Sequence, residues 1–203
     1  MHLKYKNDYI CKPNEYSVMT KREKILEFTT QLIAEEGVSG SPMAQIAKKA
    51  GIAVGTFYHH FKSKEEIINE IYINIKNNFS HILENSREKK LGFKEEFEYT
   101  WLGVYHFFVK NPIQFKFLQQ IDHCPIITKE VKEQCELYIM PIIEFYQKGI
   151  DEGYLVDIDL DLMGSLTYNS IVTTVDIQVN KNNITENKLK QAMDYSWRAI
   201  AKK

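Results

Sequence analysis

Residues 43–66 read MAQIAKKAGIAVGTFYHHFKSKEE, and this stretch determines the fold that we expect for the chain. Two short helices are predicted in it, from Met43 to Ala50 and from about Val54 to His60, with Gly51 in the turn between them. Glycine permits the positive φ that a tight turn requires, and the small side chain of Ala47 lets two helices cross closely. The pattern is typical of a helix-turn-helix.

Amphipathic helices are predicted on both sides of this stretch. Apolar side chains recur at i, i+3, i+7 and i+8 before it, which predicts a helix over about residues 21–36. Ser63 and Glu66 match a capping box, which opens a long helix after it. Ser41 followed by Pro42 is predicted to cap the first of the two short helices.

Helical periodicity recurs in the rest of the chain, and strand signals are nearly absent. We therefore predict an all-α protein of about nine helices in three parts. Residues 1–19 are expected to be a disordered extension, residues 20–66 a three-helix helix-turn-helix domain, and residues 67–203 a helical ligand-binding and dimerisation domain.

Composition excludes several classes of protein. Three cysteines without a CxxC pair favour a reducing, cytoplasmic location over a disulfide scaffold. The polar start is unlike a secretory signal, and no run of about 18 apolar residues predicts a membrane span.

The charge is unevenly distributed along the chain. Residues 20–64 hold seven basic and four acidic residues, a net charge of +3, so the remainder carries −4 of the total of −1. A basic module on an acidic body favours a DNA-binding domain joined to an effector domain, although the asymmetry is mild.

Three segments resemble the DNA-binding domain of the TetR/AcrR regulators: Ile25–Gly37, Met43–Gly51 and Val54–Glu66. The resemblance covers about residues 20–72, and GTFYHHFKSKEE (residues 55–66) is its most specific part. It departs from the family pattern at residues 41–43, where two threonines and an apolar residue are common. The resemblance implies a homodimeric regulator, usually a repressor, that binds a palindromic operator in double-stranded DNA. It also implies a small-molecule effector that releases the protein from the DNA. It implies no cofactor.

Nine residues are candidates for DNA binding. The second short helix is predicted to enter the major groove, where small side chains at Val54, Gly55 and Thr56 allow close approach to base edges. Tyr58, His59 and Lys64 resemble the phosphate contacts of the family, and the Ser41 hydroxyl can also meet a phosphate. The full set is Lys21, Ser41, Lys48, Val54, Gly55, Thr56, Tyr58, His59 and Lys64.

The C-terminal part supplies candidates for an effector pocket and for dimerisation. Its many aromatic residues favour an apolar or aromatic effector. The pocket candidates are His81, Trp101, Tyr105, His106, Tyr146 and Tyr168. The last two helices are predicted to form a four-helix interface in the homodimer, with Met163, Leu166, Ser170, Thr174, Leu189, Met193 and Trp197 as the candidate contacts.

Other interpretations remain open at this point. An enzyme is disfavoured, because none of the six histidines follows a Glu by three residues and no nucleotide or hydrolase motif occurs. No metal site is expected at His59 and His60, and residues 122–124 are expected to form a turn. A helical dimeric adaptor or small-molecule-binding protein without DNA binding is the alternative function. For the first residues, a basic arm in the minor groove competes with a natural translation start at Met19, which we favour.

Overall fold

The computed structural model describes residues 19–121 and 124–203, which form nine α-helices. In chain order these are α1 (Lys21–Glu36), α2 (Met43–Lys49), α3 (Val54–His60), α4 (Lys64–Glu88), α5 (Phe93–Lys110), α6 (Pro112–Ile121), α7 (Lys129–Asp151), α8 (Leu160–Lys181) and α9 (Glu186–Ile200). The all-α prediction is confirmed. The expected N-terminal extension lies outside the described residues except for Met19, and so do Asp122 and His123 of the expected turn.

Local signals set the ends of α1. The Glu23 amide donates to the Thr20 hydroxyl at 3.2 Å, and the Glu23 carboxylate accepts from the Thr20 amide at 2.7 Å. These hydrogen bonds hold the pKa of the Glu23 carboxyl below its usual value. At the other end Gly37 adopts φ 73°, a conformation that glycine takes without a steric cost.

The predicted cap of α2 is wrong. Pro42 occupies the N-cap position and no side chain caps the helix. Ser41 is fully buried, and its hydroxyl donates to the carbonyl of Gly37 at 2.7 Å. Carbonyls at the end of a helix lack donors within the helix. The Ser41 hydroxyl therefore donates to the end of α1, where we had predicted that it caps the start of α2.

The capping box of α4 forms with one change. The Glu66 amide donates to the Ser63 hydroxyl at 3.1 Å, as predicted. The Glu66 carboxylate accepts from the amide of Lys62, at 2.7 Å, instead of the amide of Ser63. Both bonds fix the point where the chain leaves α3 and enters α4.

The described helices group into two packed units. The first unit comprises residues 19–77 and 111–136, where described, and the second comprises residues 78–110 and 137–203. In the first, α1 packs on α2 and α6, and α2 packs on α3; in the second, α5 packs on α8 and α9, which also pack on each other. Packing therefore places α6 with the helix-turn-helix, whereas the sequence prediction divided the chain at residue 66.

Two further features complete the fold. Leu155 and Ala201 form an isolated antiparallel bridge, which fixes the end of the chain to the segment after α7. None of the described helices is both long and apolar enough to cross a bilayer.

Candidate nucleic-acid interface

One side of α3 is buried and the other is open. Phe57 in α3 and Phe61 just after it are fully buried, and they hold the helix against the first unit. Val54 and Tyr58 lie on the open side and are 48% and 52% exposed. These two side chains are therefore available for contact with a partner.

The open side also carries the smallest residue of the helix. A Cβ atom added at Gly55 would have no atom within 4 Å. His59 is exposed as well, and Thr56 is half-buried. The structure thus brings five of the predicted residues (Val54, Gly55, Thr56, Tyr58 and His59) onto one seven-residue helix.

The remaining predicted DNA contacts differ in availability. Lys21 and Lys48 are exposed, Lys48 in the last turn of α2. Ser41 does not face solvent, so its predicted hydroxyl contact with a phosphate is wrong for this conformation. Lys64 is half-buried, and its ammonium donates to the carbonyls of Val38 at 2.6 Å and Ser41 at 3.2 Å.

Sequence reasoning missed the residue that joins α1 to the start of α4. The guanidinium of Arg22 lies 4.7 Å from the centroid of the Phe61 ring and forms an ion pair with Glu70. Stacking on an aromatic face while binding a carboxylate suits the planar guanidinium of arginine. No spacing rule pairs Arg22 with residues so far along the chain.

The two histidines of α3 are adjacent in the chain and contact each other. The rings of His59 and His60 lie 5.6 Å apart and meet edge to face. Among the described residues, no group of three or more His, Cys, Asp or Glu side chains is placed to hold a metal ion.

The candidates for the effector pocket lie in the second unit, but they do not share one environment. Trp101, Tyr105 and Tyr146 are buried, and burial raises the pKa of the Tyr146 phenol to about 12. His106 lies beside Tyr105, with ring centroids 5.2 Å apart. His81 is exposed, with Nδ1 3.3 Å from the Glu84 carboxylate, and its role as a pocket contact stays a prediction.

Two of the pocket candidates, Trp101 and Tyr168, contact side chains of neighbouring helices. The Trp101 indole N–H donates to the Ser170 hydroxyl at 3.0 Å, and Ser170 also hydrogen-bonds Ser196 at 2.9 Å. These contacts join α5, α8 and α9. The Tyr168 ring lies 6.4 Å from the ring of Phe79.

The predicted dimer contacts are largely internal. Met163, Thr174, Leu189 and Met193 are buried within the protomer, so in this conformation they offer little surface to a partner, and their role in a dimer stays a prediction. Ser170 and Trp197 are partly buried, Ser170 in the hydrogen bonds above and Trp197 with its ring centroid 5.2 Å from that of Phe97. Helical spacing identified the buried side of α9 at Leu189 and Met193, and α9 packs against α8 and α5.

Other side chains of α8 and α9 are open. Leu162 and Leu166 lie one turn apart on α8 and are 51% and 53% exposed. Tyr195 on α9 is 71% exposed. Of the predicted set, Leu166 is the large apolar residue that remains on the surface.

Two family models match this chain. The model for bacterial regulatory proteins of the tetR family matches residues 25–71, which contain α2 and α3. The model for the tetracyclin repressor-like C-terminal domain matches residues 92–201, more than half of the chain.

Similar proteins match over most of their own length. An HTH-type transcriptional regulator of Haemophilus influenzae is 26% identical over 184 residues, which cover 89% of this chain and 95% of that protein. The HTH-type transcriptional repressor KstR2 of Mycolicibacterium smegmatis is 26% identical over 156 residues, which cover 71% and 72%. The crystal structure of a tetR family regulator from Shewanella sp. PV-4 matches with a TM-score of 0.83 at 25% identity, covering 91% of this chain and all of that one.

Proposed function

The chain belongs to the TetR family of bacterial transcriptional regulators. From this premise we propose that α3 reads a palindromic operator and that a small-molecule effector releases the protein from it. Membership makes the chain a DNA-binding regulator and not an enzyme. The observation that supports α3 as the reading element is its division into a buried side at Phe57 and an open side at Val54, Gly55 and Tyr58.

The exposed residues have distinct roles in this proposal. Val54 and Thr56 contact base edges in the major groove, where methyl groups and a hydroxyl can discriminate bases. Tyr58, His59, Lys21 and Lys48 contact phosphates and set the position of the helix on the duplex.

A homodimer supplies a second copy of α3. Two recognition helices related by two-fold symmetry read half-sites about 34–36 Å apart. The exposed Leu162 and Leu166 on α8 and Tyr195 on α9 form the apolar part of the dimer face in our proposal. This set replaces the buried residues that the sequence suggested.

The second unit binds the effector in this proposal. Trp101, Tyr105 and Tyr146 are buried and uncharged at neutral pH, which favours a neutral apolar or aromatic ligand. Because α4 contributes residues to both units, it is the proposed route by which the effector acts on DNA binding. A coupling of about 1–3 kcal/mol would weaken operator binding about 5–150-fold. Repression is supported by the relatives that are named repressors.

Selection of bound DNA from a random pool tests the proposal directly. Enrichment of a palindrome supports a dimeric operator reader, and titration of the selected site at several salt concentrations gives the salt slope. A failure to enrich any sequence at any salt concentration would leave the adaptor without DNA binding as the better description.

The salt slope provides a residue-level test. Lys48→Met is expected to weaken operator binding and to reduce the slope of log K against log[salt] by about 0.9 for each phosphate that the side chain no longer neutralises. Lys116→Met, at an exposed lysine of α6, is the matched control and should leave the slope unchanged. Equal slopes for the two variants would remove Lys48 from the interface.

The dimer face has its own test. Leu166→Glu is expected to weaken self-association at least tenfold, because burial of a leucine contributes about 1.5–3 kcal/mol and a carboxylate opposes burial. Leu137→Glu, at a 70% exposed leucine of α7, is the control that should stay dimeric. Sedimentation velocity over a range of protein concentrations measures both, and an unchanged dimer in the Leu166 variant would place the interface elsewhere.

A further inference from the structure

Lys64 is the first residue of α4, and its side chain turns toward the loop between α1 and α2. Its ammonium donates to the backbone carbonyls of Val38 at 2.6 Å and of Ser41 at 3.2 Å. The side chain is half-buried, so these two hydrogen bonds form in a partly water-excluded position. Hydrogen bonds from an ionised donor are stronger than neutral ones.

The loop that receives the ammonium is tightly wound. Gly37 has a positive φ, and the Ser41 amide donates to the Val38 carbonyl at 3.4 Å. A Cβ atom at Gly40 would lie 2.4 Å from the carbonyl oxygen of Glu36, so the chain passes close to the end of α1 there. The carbonyls of Val38 and Ser41 are thus held on a compact turn that Lys64 bridges to α4.

This loop leads directly into the helix-turn-helix. Pro42 follows Ser41 and begins α2 without a side-chain cap. The turn after α2 is closed by the Ile52 amide, which donates to the Ala47 carbonyl at 3.0 Å, and α2 packs on α3. The loop is therefore joined directly to α2, which in turn contacts α3.

We propose that Lys64 is a positioning residue and does not neutralise a DNA phosphate. Its two hydrogen bonds to the carbonyls of Val38 and Ser41, here called the clip, hold the α1–α2 loop at the start of α4 and so set the geometry of α3. The inference rests on the proposed function of α3 as the DNA-reading helix. It differs from what the family resemblance implies for this lysine, which is a phosphate contact.

The two roles predict different salt dependences. Removing a cation that neutralises a phosphate reduces the slope of log K against log[salt] by about 0.9 per cation, or about 1.8 for the two copies in a homodimer. Removing the hydrogen bonds of Lys64 to the loop instead weakens binding by a similar factor at every salt concentration. Lys64→Met is expected to weaken operator binding about three- to tenfold with an unchanged slope. Lys48→Met, which removes a cation proposed to bind a phosphate, is the matched comparison on α2.

Hydrogen exchange of the free protein tests the clip without DNA. Amides of residues 37–41 should exchange faster in Lys64→Met than in the wild type, while amides of α9 should be unchanged. If the wild type binds no DNA at all, the proposed function fails, and this exchange measurement still decides whether Lys64 holds the loop.

A measurement of the Lys64 ammonium in the wild-type protein tests the proposal without relying on the folding of a variant. Nitrogen-15 NMR, with the signal assigned by its loss in Lys64→Arg, should show a Lys64 ammonium that is protected in the free protein and unshifted by operator DNA. A Lys64 signal that shifts with DNA, a slope reduced in Lys64→Met, or loop exchange equal to the wild type would each overturn the proposal.

Discussion

Replacing Gly55 by leucine is expected to weaken specific operator binding strongly while leaving the protein folded. A Cβ atom added at Gly55 would meet no atom within 4 Å in the free protein, and the position is exposed, so we expect the leucine side chain to extend into solvent. Gly55 lies inside α3 and outside the set of residues with positive φ, so a leucine adopts its backbone conformation without strain. Helix propensity favours leucine over glycine by about 0.8 kcal/mol.

The same open space is where we place the DNA. A leucine at this position would project between α3 and the base edges and hold the helix away from the groove, at both half-sites of the operator. We expect a loss of about 100-fold in affinity, equivalent to about 2.7 kcal/mol. Specific binding should fall more than non-specific binding, because contacts with phosphates are less sensitive to this separation.

Fluorescence anisotropy with the selected operator and thermal unfolding together check this expectation. The melting temperature of Gly55→Leu should equal or exceed that of the wild type. Gly55→Ala is the graded control, with a smaller side chain and a smaller loss of affinity. Operator affinity within threefold of the wild type for the leucine variant would show that the backbone at Gly55 does not approach DNA.

The sequence predicted the parts of the fold that depend on local interactions. The bounds of α1, α2 and α3 follow from glycines and apolar spacing near each helix, although α2 and α3 have no side-chain cap. The open side of α3 could be predicted for the same reason, since a seven-residue helix anchored by Phe57 leaves its neighbours on the other side.

Features that depend on distant parts of the chain could not be predicted in this way. The Ser41 hydroxyl was predicted to cap α2 or to contact a phosphate. It donates instead to the Gly37 carbonyl, because the end of α1 lies within reach of it. Helix α6 packs on α1 although it begins about 90 residues later in the chain. The apolar periodicity within each helix does not indicate that the two are in contact. An amphipathic stripe, as on α9, tells which residues are buried but not whether a neighbour or a second copy covers them.

A glycine of the second unit shows how much a single close contact can matter. Gly149 is buried in α7, and a Cβ atom there would lie 2.4 Å from Cζ of Phe93 and 2.6 Å from Cγ of Leu155. The Phe93 ring is stacked between those of Phe145, with centroids 4.3 Å apart, and Tyr154, at 4.7 Å. Leu155 is fixed by its bridge to Ala201. Neither neighbour can therefore move away without breaking other contacts.

Gly149→Ala is accordingly expected to destabilise the protein, against the usual preference of helices for alanine. Overpacking of a tight core costs about 3 kcal/mol at the upper end of its usual range, and for a chain of this size that corresponds to a melting temperature lower by about 6–12 °C. The matched control is Gly164→Ala in α8, where the added Cβ would make an ordinary contact of 3.7 Å with Tyr146. This variant should be more stable than the wild type by about 0.8 kcal/mol, because only the helix propensity changes. Calorimetry of the two variants separates the effects: opposite shifts support a steric limit at Gly149, while a stabilised Gly149→Ala would mean that Phe93 and Leu155 are free to repack.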